Sequence, residues 1–245
     1  MRARILILGG TAEARELATL ADAAGLDVVT SFAGRTPAPR RPPGEVRVGG
    51  FGGAEGLMAY LDSQQISALV DATHPYAVQI SAQAAAACDR LDLARLMLRR
   101  PPWTAEPGDR WIEVADDAEA AAALPGLAKR VLLTVGRRAL GAYAGLDGIR
   151  FFVRLVSPPG DLPLDCQVIT GRGPFSLEDE RALLTDHAID GLVSRQSGGP
   201  ATYGKIAAAR ERAIPVVMIR RPPLVAGETV ETPATALDWL KLAAA

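Results

Sequence analysis

Histidine and cysteine are nearly absent from this 245-residue sequence, which holds only His74, His187, Cys88 and Cys166. The cysteines lie far apart and neither belongs to a CxxC pair. That excludes a disulfide framework and a zinc site, and it fits a reducing compartment. The histidines make no HxxxH or HExxH pattern, so no metal is expected. Aromatic residues are 5% of the chain, too few for the stacking platforms of single-strand nucleic-acid binders. A formal net charge of −1 supplies no basic field for nucleic acid or an anionic membrane. No apolar run approaches the roughly 18 residues that a membrane span requires. Met1-Arg-Ala-Arg passes straight into the short apolar run at residues 5–8, which is not the pattern of a signal peptide. A cytoplasmic protein with no nucleic-acid or membrane partner is expected. The patterns Tyr-x-x-x-Lys, G-x-S-x-G and G-x-x-x-x-G-K-[ST] are missing too, which argues against short-chain dehydrogenase, α/β-hydrolase and P-loop chemistry.

What is present is an ordinary globular composition, 49% apolar and 22% charged, in a chain long enough for one large core or two modest ones. Short apolar runs alternate with helical periodicity through the first hundred residues. Strands are predicted at residues 4–8, 27–31, 45–48, 67–71 and 94–98, and helices at 12–24, around 57–61 and at 77–91. Strands separated by helices of this length pair in parallel through crossovers, which makes an open α/β sheet. Residues 35–44, rich in Pro and Arg, read as a surface loop. Residues 99–109 (RRPPWTAEPGD) carry three prolines, a glycine and no periodicity, and mark a domain boundary. The pattern then restarts. Helices are expected from Asp116-Asp117, at 137–143, from Ser176, at 203–212 and at 234–242, and strands at 130–135, 149–156, 167–170, 191–194 and 215–219. Glu119 and Asp179 stand at capping-box spacing from Asp116 and Ser176. The fold expected is α/β, with two tandem Rossmann-like parallel-sheet units, residues 1–102 and 103–245, and a cleft between them. A single longer sheet stays open as an alternative.

The first run ends in Gly9-Gly10-Thr11-Ala12 and turns at once into a helix. Unpaired N–H groups and the positive end of a helix dipole suit a pyrophosphate there, and Thr11 offers a capping hydroxyl. The bland alternative is a tight turn with an ordinary cap, because Ala14 stands near the place of the third glycine in G-x-G-x-x-G. The next strand ends with Ser31 and Arg35, and no acid stands between Val28 and Arg40. A hydroxyl beside a guanidinium suits an adenosine 2′-phosphate better than a free ribose hydroxyl, which points to NADPH over NADH. The strand at 67–71 runs into Asp71-Ala-Thr73-His74-Pro75-Tyr76-Ala77. At the carboxyl end of a buried parallel strand, Thr73, His74, Pro75 and Ala77 are placed to border the nicotinamide end of such a cofactor. A lone histidine is more often structural than catalytic.

In the second half, VITGRGPFS (168–176) and LVSRQSGGPATYGK (192–205) each lead from a strand through a glycine turn with an arginine into a helix. Arg172, Arg195 and Lys205, with Ser197, Gly198 and Thr202, make a cradle for carboxylates or phosphates. Two ordinary βα turns with solvated bases are the alternative. Arg15 and Arg137 are further candidate cations.

Taken together, GGTAEARELA, DATHPYA, GRGPFSLEDE and SRQSGGPATYGKIAAARERAIPVVMIRRP fall in order along almost the whole chain, and they resemble the precorrin-6A reductase family of cobalamin biosynthesis. Two departures stand out. Ala14 replaces a glycine frequent in that family, and Arg195 replaces a lysine. The resemblance implies an NADPH-dependent reduction of one carbon–carbon double bond of precorrin-6A, giving precorrin-6B, with a tetrapyrrole substrate fringed by carboxylates. It also admits transient contact with neighbouring pathway enzymes, and it leaves open whether the macrocycle carries cobalt. Hydride transfer followed by protonation is the expected chemistry. His74, Tyr76 and Tyr203 are candidate proton donors, and solvent can also serve. The rival readings are an NADP-dependent reductase or epimerase of a small carboxylated substrate, and a non-catalytic nucleotide-sensing module.

Overall fold

The computed structural model describes residues 3–34, 41–157 and 160–243. In chain order the elements are β1 (Arg4–Leu8), α1 (Ala12–Ala23), β2 (Asp27–Phe32), β3 (Glu45–Val48), α2 (Ala54–Ser63), β4 (Ile66–Asp71), α3 (Val78–Leu91) and β5 (Ala94–Leu98). Then follow β6 (Trp111–Val114), α4 (Asp117–Ala122), β7 (Arg130–Thr134), a 3-10 helix (Arg137–Tyr143), β8 (Arg150–Leu155), β9 (Cys166–Thr170) and α5 (Leu177–Asp186). The chain ends with β10 (Gly191–Arg195), a 3-10 turn (Pro200–Thr202), α6 (Gly204–Glu211), β11 (Val216–Ile219), β12 (Glu228–Val230) and α7 (Pro233–Ala243).

These elements form two compact units, Met1–Pro101 with Pro222–Ala245, and Pro102–Arg221. The first holds a six-stranded sheet in the order β12-β5-β4-β1-β2-β3, with every pairing parallel. β1 is central, and its residues 5–8 are buried because helices cover both faces of a parallel sheet. On α1 the buried residues are Ala14, Leu17, Ala18 and Ala21, the i, i+3, i+4, i+7 stripe that seats a helix on a sheet. They pack in one apolar cluster with Ile5, Val70, Leu96, Ala236 and Leu240. Leu6, Leu57, Leu61, Leu69 and Cys88 fill the other face.

The second unit holds the order β6-β11-β10-β7-β8-β9, again with all pairings parallel. Leu132, Phe152, Leu192, Ile206 and Met218 lie at the centre of a core cluster there. The capping box opening α5 is present, with Ser176 and Asp179 bonded reciprocally.

The structure corrects the expected boundaries. The first crossing falls at Pro101–Pro102, beside the expected 102/103, but residues 222–245 do not stay with the second unit. They rejoin the first, where Ala236 and Leu240 are fully buried and β12 pairs β5. The reason is an unfilled apolar face: α1 and β5 would expose their core stripe without α7. β6 and β12 were not expected from sequence. Both are edge strands of three or four residues, two of them exposed in each, so neither shows a long apolar run or clean alternation. Residues 137–143, expected as a short helix, form a 3-10 helix.

Candidate functional site

In the first sheet the strand order reverses at β1, which pairs with β2 on one side and β4 on the other. Open α/β sheets bind ligands at the carboxyl ends of strands at such a switch point. The glycine turn stands there. The Gly9 N–H bonds the Ser31 carbonyl at 2.9 Å, and a Cβ on Gly9 would sit 3.0 Å from Thr30 Cγ2 and 3.3 Å from Phe32 Cε1. Gly10 adopts φ +118 with open space where a side chain would be, a backbone that L-residues rarely take. Thr11 caps α1, its Oγ1 accepting the Ala14 N–H at 3.0 Å and donating to the Ala72 carbonyl at 2.8 Å. The remaining helix-start donors, from Gly10 to Ala12, lie on half-buried or exposed residues. This open, donor-lined ground fits the pyrophosphate of a dinucleotide. Ala14 is buried within the helix–sheet core, so its methyl faces away from that ground.

The neighbouring turn after β4 is held by a buried ionic network. Arg99, the residue following β5, donates from Nη2 to Asp71 Oδ2 at 2.9 Å and to Ser81 Oγ at 2.9 Å, and from Nη1 to the Thr73 carbonyl at 2.6 Å. Thr73 in turn donates to Asp71 Oδ1 from its N–H at 3.0 Å and its hydroxyl at 2.6 Å. The Arg99 and Asp71 side chains are 6% and 1% exposed, so the pair is sealed from water and the carboxylate has its charge met by the guanidinium. Arg100 reaches Glu13 on the first turn of α1 at 2.8 Å. Thr11, Glu13, Thr73, Pro75, Leu98, Arg99 and Arg100 line one polar crevice. Gly9–Ala12 and the Thr73–Ala77 turn, expected as one cofactor site, thus stand side by side. His74 is half-buried, with its ring 5.6 Å from that of Tyr76 and Nδ1 facing the Tyr76 N–H at 3.4 Å.

Ser31 lies buried at the end of β2, beside Gly9. Arg35 lies outside the described residues. The described cation beside Ser31 is Arg47, paired with it across β2 and β3, with Nη1 3.4 Å from Ser31 Oγ.

In the second sheet β7 and β10 are neighbours at the corresponding reversal. Arg137 follows β7, Arg172 follows β9, and Arg195 ends β10. All three therefore sit at the carboxyl edge of the sheet. Arg137 donates to the Asp161 carbonyl at 3.1 Å, and Arg172 is exposed. Arg195 pairs with Asp117 at 3.2 Å, and Asp117 also accepts from the buried Tyr143 hydroxyl at 3.1 Å. Burial first, and then the Asp117 carboxylate, hold the Tyr143 phenol well above its ordinary pKa, so it remains a donor. Arg15 lies on α1 of the first unit.

The glycine turn at residues 196–199 is fastened from below. Trp103 and Gln196 exchange two hydrogen bonds at 3.0 and 2.8 Å, and Trp103 Nε1 donates to the Gly199 carbonyl at 2.8 Å. Arg221 donates to the carbonyls of Gln196 and Ser197 at 2.8 and 2.9 Å. Ser197 and Gly198 lie on this turn, and Thr202 in the 3-10 turn after it. Lys205 is buried, with Nζ donating to the Thr202 carbonyl at 2.8 Å and lying 4.9 Å from the Trp103 ring centroid. Tyr203 donates to Glu106 at 2.6 Å and accepts from Arg210 at 2.5 Å. Burial, followed by the Glu106 bond, raises its pKa.

Sequence reading missed Arg99, Arg47, Asp117, Trp103, Gln196 and Arg221 as parts of these sites. A usable signal existed for Arg99: a buried strand ending in Asp71 calls for a cation at the end of an adjacent strand. No motif marked the others.

Comparison with known proteins covers nearly the whole chain. The family model described as precorrin-6x reductase CbiJ/CobK matches residues 4–241. The precorrin-6A reductase of Rhodococcus erythropolis is 49% identical over 240 residues, covering 97% of each chain. A solved structure titled CobK precorrin-6A reductase is 41% identical, covers 99% of this chain and 98% of its own, and superposes with a TM-score of 0.94. The cobalt-precorrin-6A reductase of Priestia megaterium is 29% identical, over 93% of this chain and 94% of that protein.

Proposed function

The chain belongs to the precorrin-6x reductase family, and from that premise we propose that it is the oxidoreductase that reduces precorrin-6A in cobalamin biosynthesis, with NADPH as its cofactor. The observation that carries this reading is the 49% identity to a precorrin-6A reductase over 97% of both chains. The lower identity of 29% to a cobalt-precorrin-6A reductase favours the metal-free macrocycle as substrate. Two unpaired cysteines and the absence, among the described residues, of any helix long and apolar enough to cross a membrane are consistent with a cytoplasmic reaction.

NADPH, when bound, supplies the hydride, and the protein supplies position and electrostatics. Gly10, Thr11 and Ala12 offer the helix-start donors for the pyrophosphate. Gly9 keeps that turn tight against β2, and the Asp71–Thr73–Arg99 network fixes the backbone of the turn that borders the nicotinamide end. Ser31 and Arg35 belong to the adenosine end in this reading. On the second unit Arg137, Arg172 and Arg195 are the cations offered to substrate carboxylates, with Asp117 orienting Arg195. Lys205 and Thr202 act on the substrate by shaping the turn that carries Ser197 and Gly198. His74 and Tyr76 are the candidates for passing a proton at the nicotinamide end in this reading; the Tyr203 hydroxyl is bonded to Glu106 and Arg210.

The test is to add purified protein to NADPH and enzymatically made precorrin-6A and follow nicotinamide absorbance. Oxidation that depends on both partners is expected. A folded protein that binds NADPH and leaves it unoxidised in the presence of precorrin-6A would overturn the assignment.

A further inference from the structure

Arg47 lies in a four-residue edge strand and belongs to no motif, yet its side chain occupies chemically particular ground. We propose that Arg47 grips the adenosine 2′-phosphate of NADPH and sets the preference for NADPH over NADH; the inference rests on the first unit being the dinucleotide site.

The first observation is position. β2 and β3 are paired in parallel with Ser31 opposite Arg47, at the carboxyl edge one strand away from the glycine turn. In sheets of this order the adenosine ribose reaches the end of β2, and a nearby arginine accommodates a 2′-phosphate. Arg47 Nη1 stands 3.4 Å from the Ser31 hydroxyl, so hydroxyl and guanidinium address one spot. Residues 28–40 contain neither Asp nor Glu, the usual partner of a free ribose 2′-hydroxyl.

The second observation is how the guanidinium is held. It lies 3.8 Å from the Phe51 ring centroid and 5.1 Å from that of Tyr60, and these rings meet edge to face at 5.2 Å. Its Nη1 and Nη2 donate to the carbonyls of Gly49 and Gly50 at 2.6 and 2.8 Å. The plane of the fork is thereby set before any ligand arrives, and little rotamer entropy remains to be lost on binding.

The third observation is charge. Arg4, Arg99 and Arg100 in the same unit pair with carboxylates. Arg47 contacts neutral oxygens, and among the described residues no carboxylate lies within ion-pair distance of it. A half-buried guanidinium whose charge is not met by an acid is suited to a phosphate dianion. A Cβ at Gly49, Gly50, Gly52 or Gly53 would meet nothing within 4 Å, so the loop bearing Phe51 has open ground along its glycines.

The experiment titrates the full-length protein with NADPH, NADH, adenosine 2′,5′-bisphosphate and 5′-AMP by calorimetry, for the wild type and for Arg47→Gln, Arg47→Lys and Arg35→Gln. The wild type should bind NADPH over NADH and the bisphosphate over 5′-AMP. Arg47→Gln should weaken NADPH and the bisphosphate by about 10- to 100-fold, the loss of one charge-assisted contact, and leave NADH and 5′-AMP unchanged. Arg47→Lys should fall between, because it keeps the charge and loses the fork. Equal weakening of NADPH and NADH in both variants would make Arg47 a staple of the loop only and overturn the proposal. So would a preference that survives Arg47→Gln and disappears with Arg35→Gln. A wild type without preference for NADPH would instead sink the cofactor reading itself, and this proposal with it.

Discussion

Thr11 is tied to Ala72: its hydroxyl donates to the Ala72 carbonyl at 2.8 Å while accepting the Ala14 N–H at 3.0 Å. One oxygen atom therefore caps α1 and joins the turn after β1 to the turn after β4. Replacing Thr11 by Val keeps the shape and removes both bonds. We expect a loss of about 0.5–2 kcal/mol of stability, the cost of a lost cap, and weaker NADPH binding, with Thr11→Ser close to wild type on both counts. Denaturant unfolding and NADPH titration of the two variants check this. Unaltered cofactor affinity in Thr11→Val would show that the bridge does not position the turn.

Arg99→Met leaves the Asp71 carboxylate buried without its cation. A loss of about 3–5 kcal/mol is expected, because an uncompensated buried charge costs more than an ion pair gains. Adding Asp71→Asn should recover part of that loss, since the stranded charge is then gone. The measurement is a double-mutant cycle by chemical denaturation. Additive losses would mean that the two side chains do not act as a pair.

Leu240→Ala tests the return of the chain to the first unit. Leu240 is fully buried among α1 and the first sheet, and truncation in such a site costs about 2–5 kcal/mol. With two units present, the readout has to be local. Hydrogen exchange should quicken in β1, β4 and β5 and stay unchanged in β7 and β10. Faster exchange confined to the second unit would contradict the assignment of α7.

The capping box of α5 predicts a pH dependence. Asp179 accepts from the Ser176 hydroxyl at 2.6 Å and N–H at 3.2 Å, and these bonds, the hydroxyl's first, hold its carboxyl below the ordinary range. A depressed folded-state pKa contributes stability that is present above the unfolded value, ~3.9 for Asp, and is lost as pH falls through the folded value. Wild type should therefore melt above Ser176→Ala at neutral pH, and the gap should narrow below about pH 4. A gap independent of pH between 7 and 3 would show that the carboxylate takes no part.

Much of the first sheet was legible because its central strands are apolar on both faces, and the residues at their carboxyl ends are glycine, serine and aspartate, which end strands abruptly. The same logic located β7, β10 and β11. It failed at β6 and β12, where a strand has one neighbour and a wet face, so hydrogen bonding defines it and composition does not. Arg99 has the sequence setting of a linker, because prolines follow it, although its side chain is buried and bonded to Asp71, Thr73 and Ser81. Lys205 shows how little of a side chain's setting is visible in sequence. A lysine after a glycine turn reads as an exposed cation, while its side chain is buried, with Nζ bonded to the Thr202 carbonyl. Charge type is visible in a sequence; the direction in which a charged side chain points is set by packing.

Because residues 102–221 form a closed unit between the two stretches that build the first one, the order of synthesis is the reverse of the order of the sheets. The second unit has all its strands made, and can fold, while the first still lacks β12 and α7. Until residue 240 leaves the ribosome, the stripe of Ala14, Leu17, Ala18 and Ala21 has no Leu240 to close on. The unit begun first is the unit finished last, and the joining of its two stretches waits on the longest loop closure in the chain.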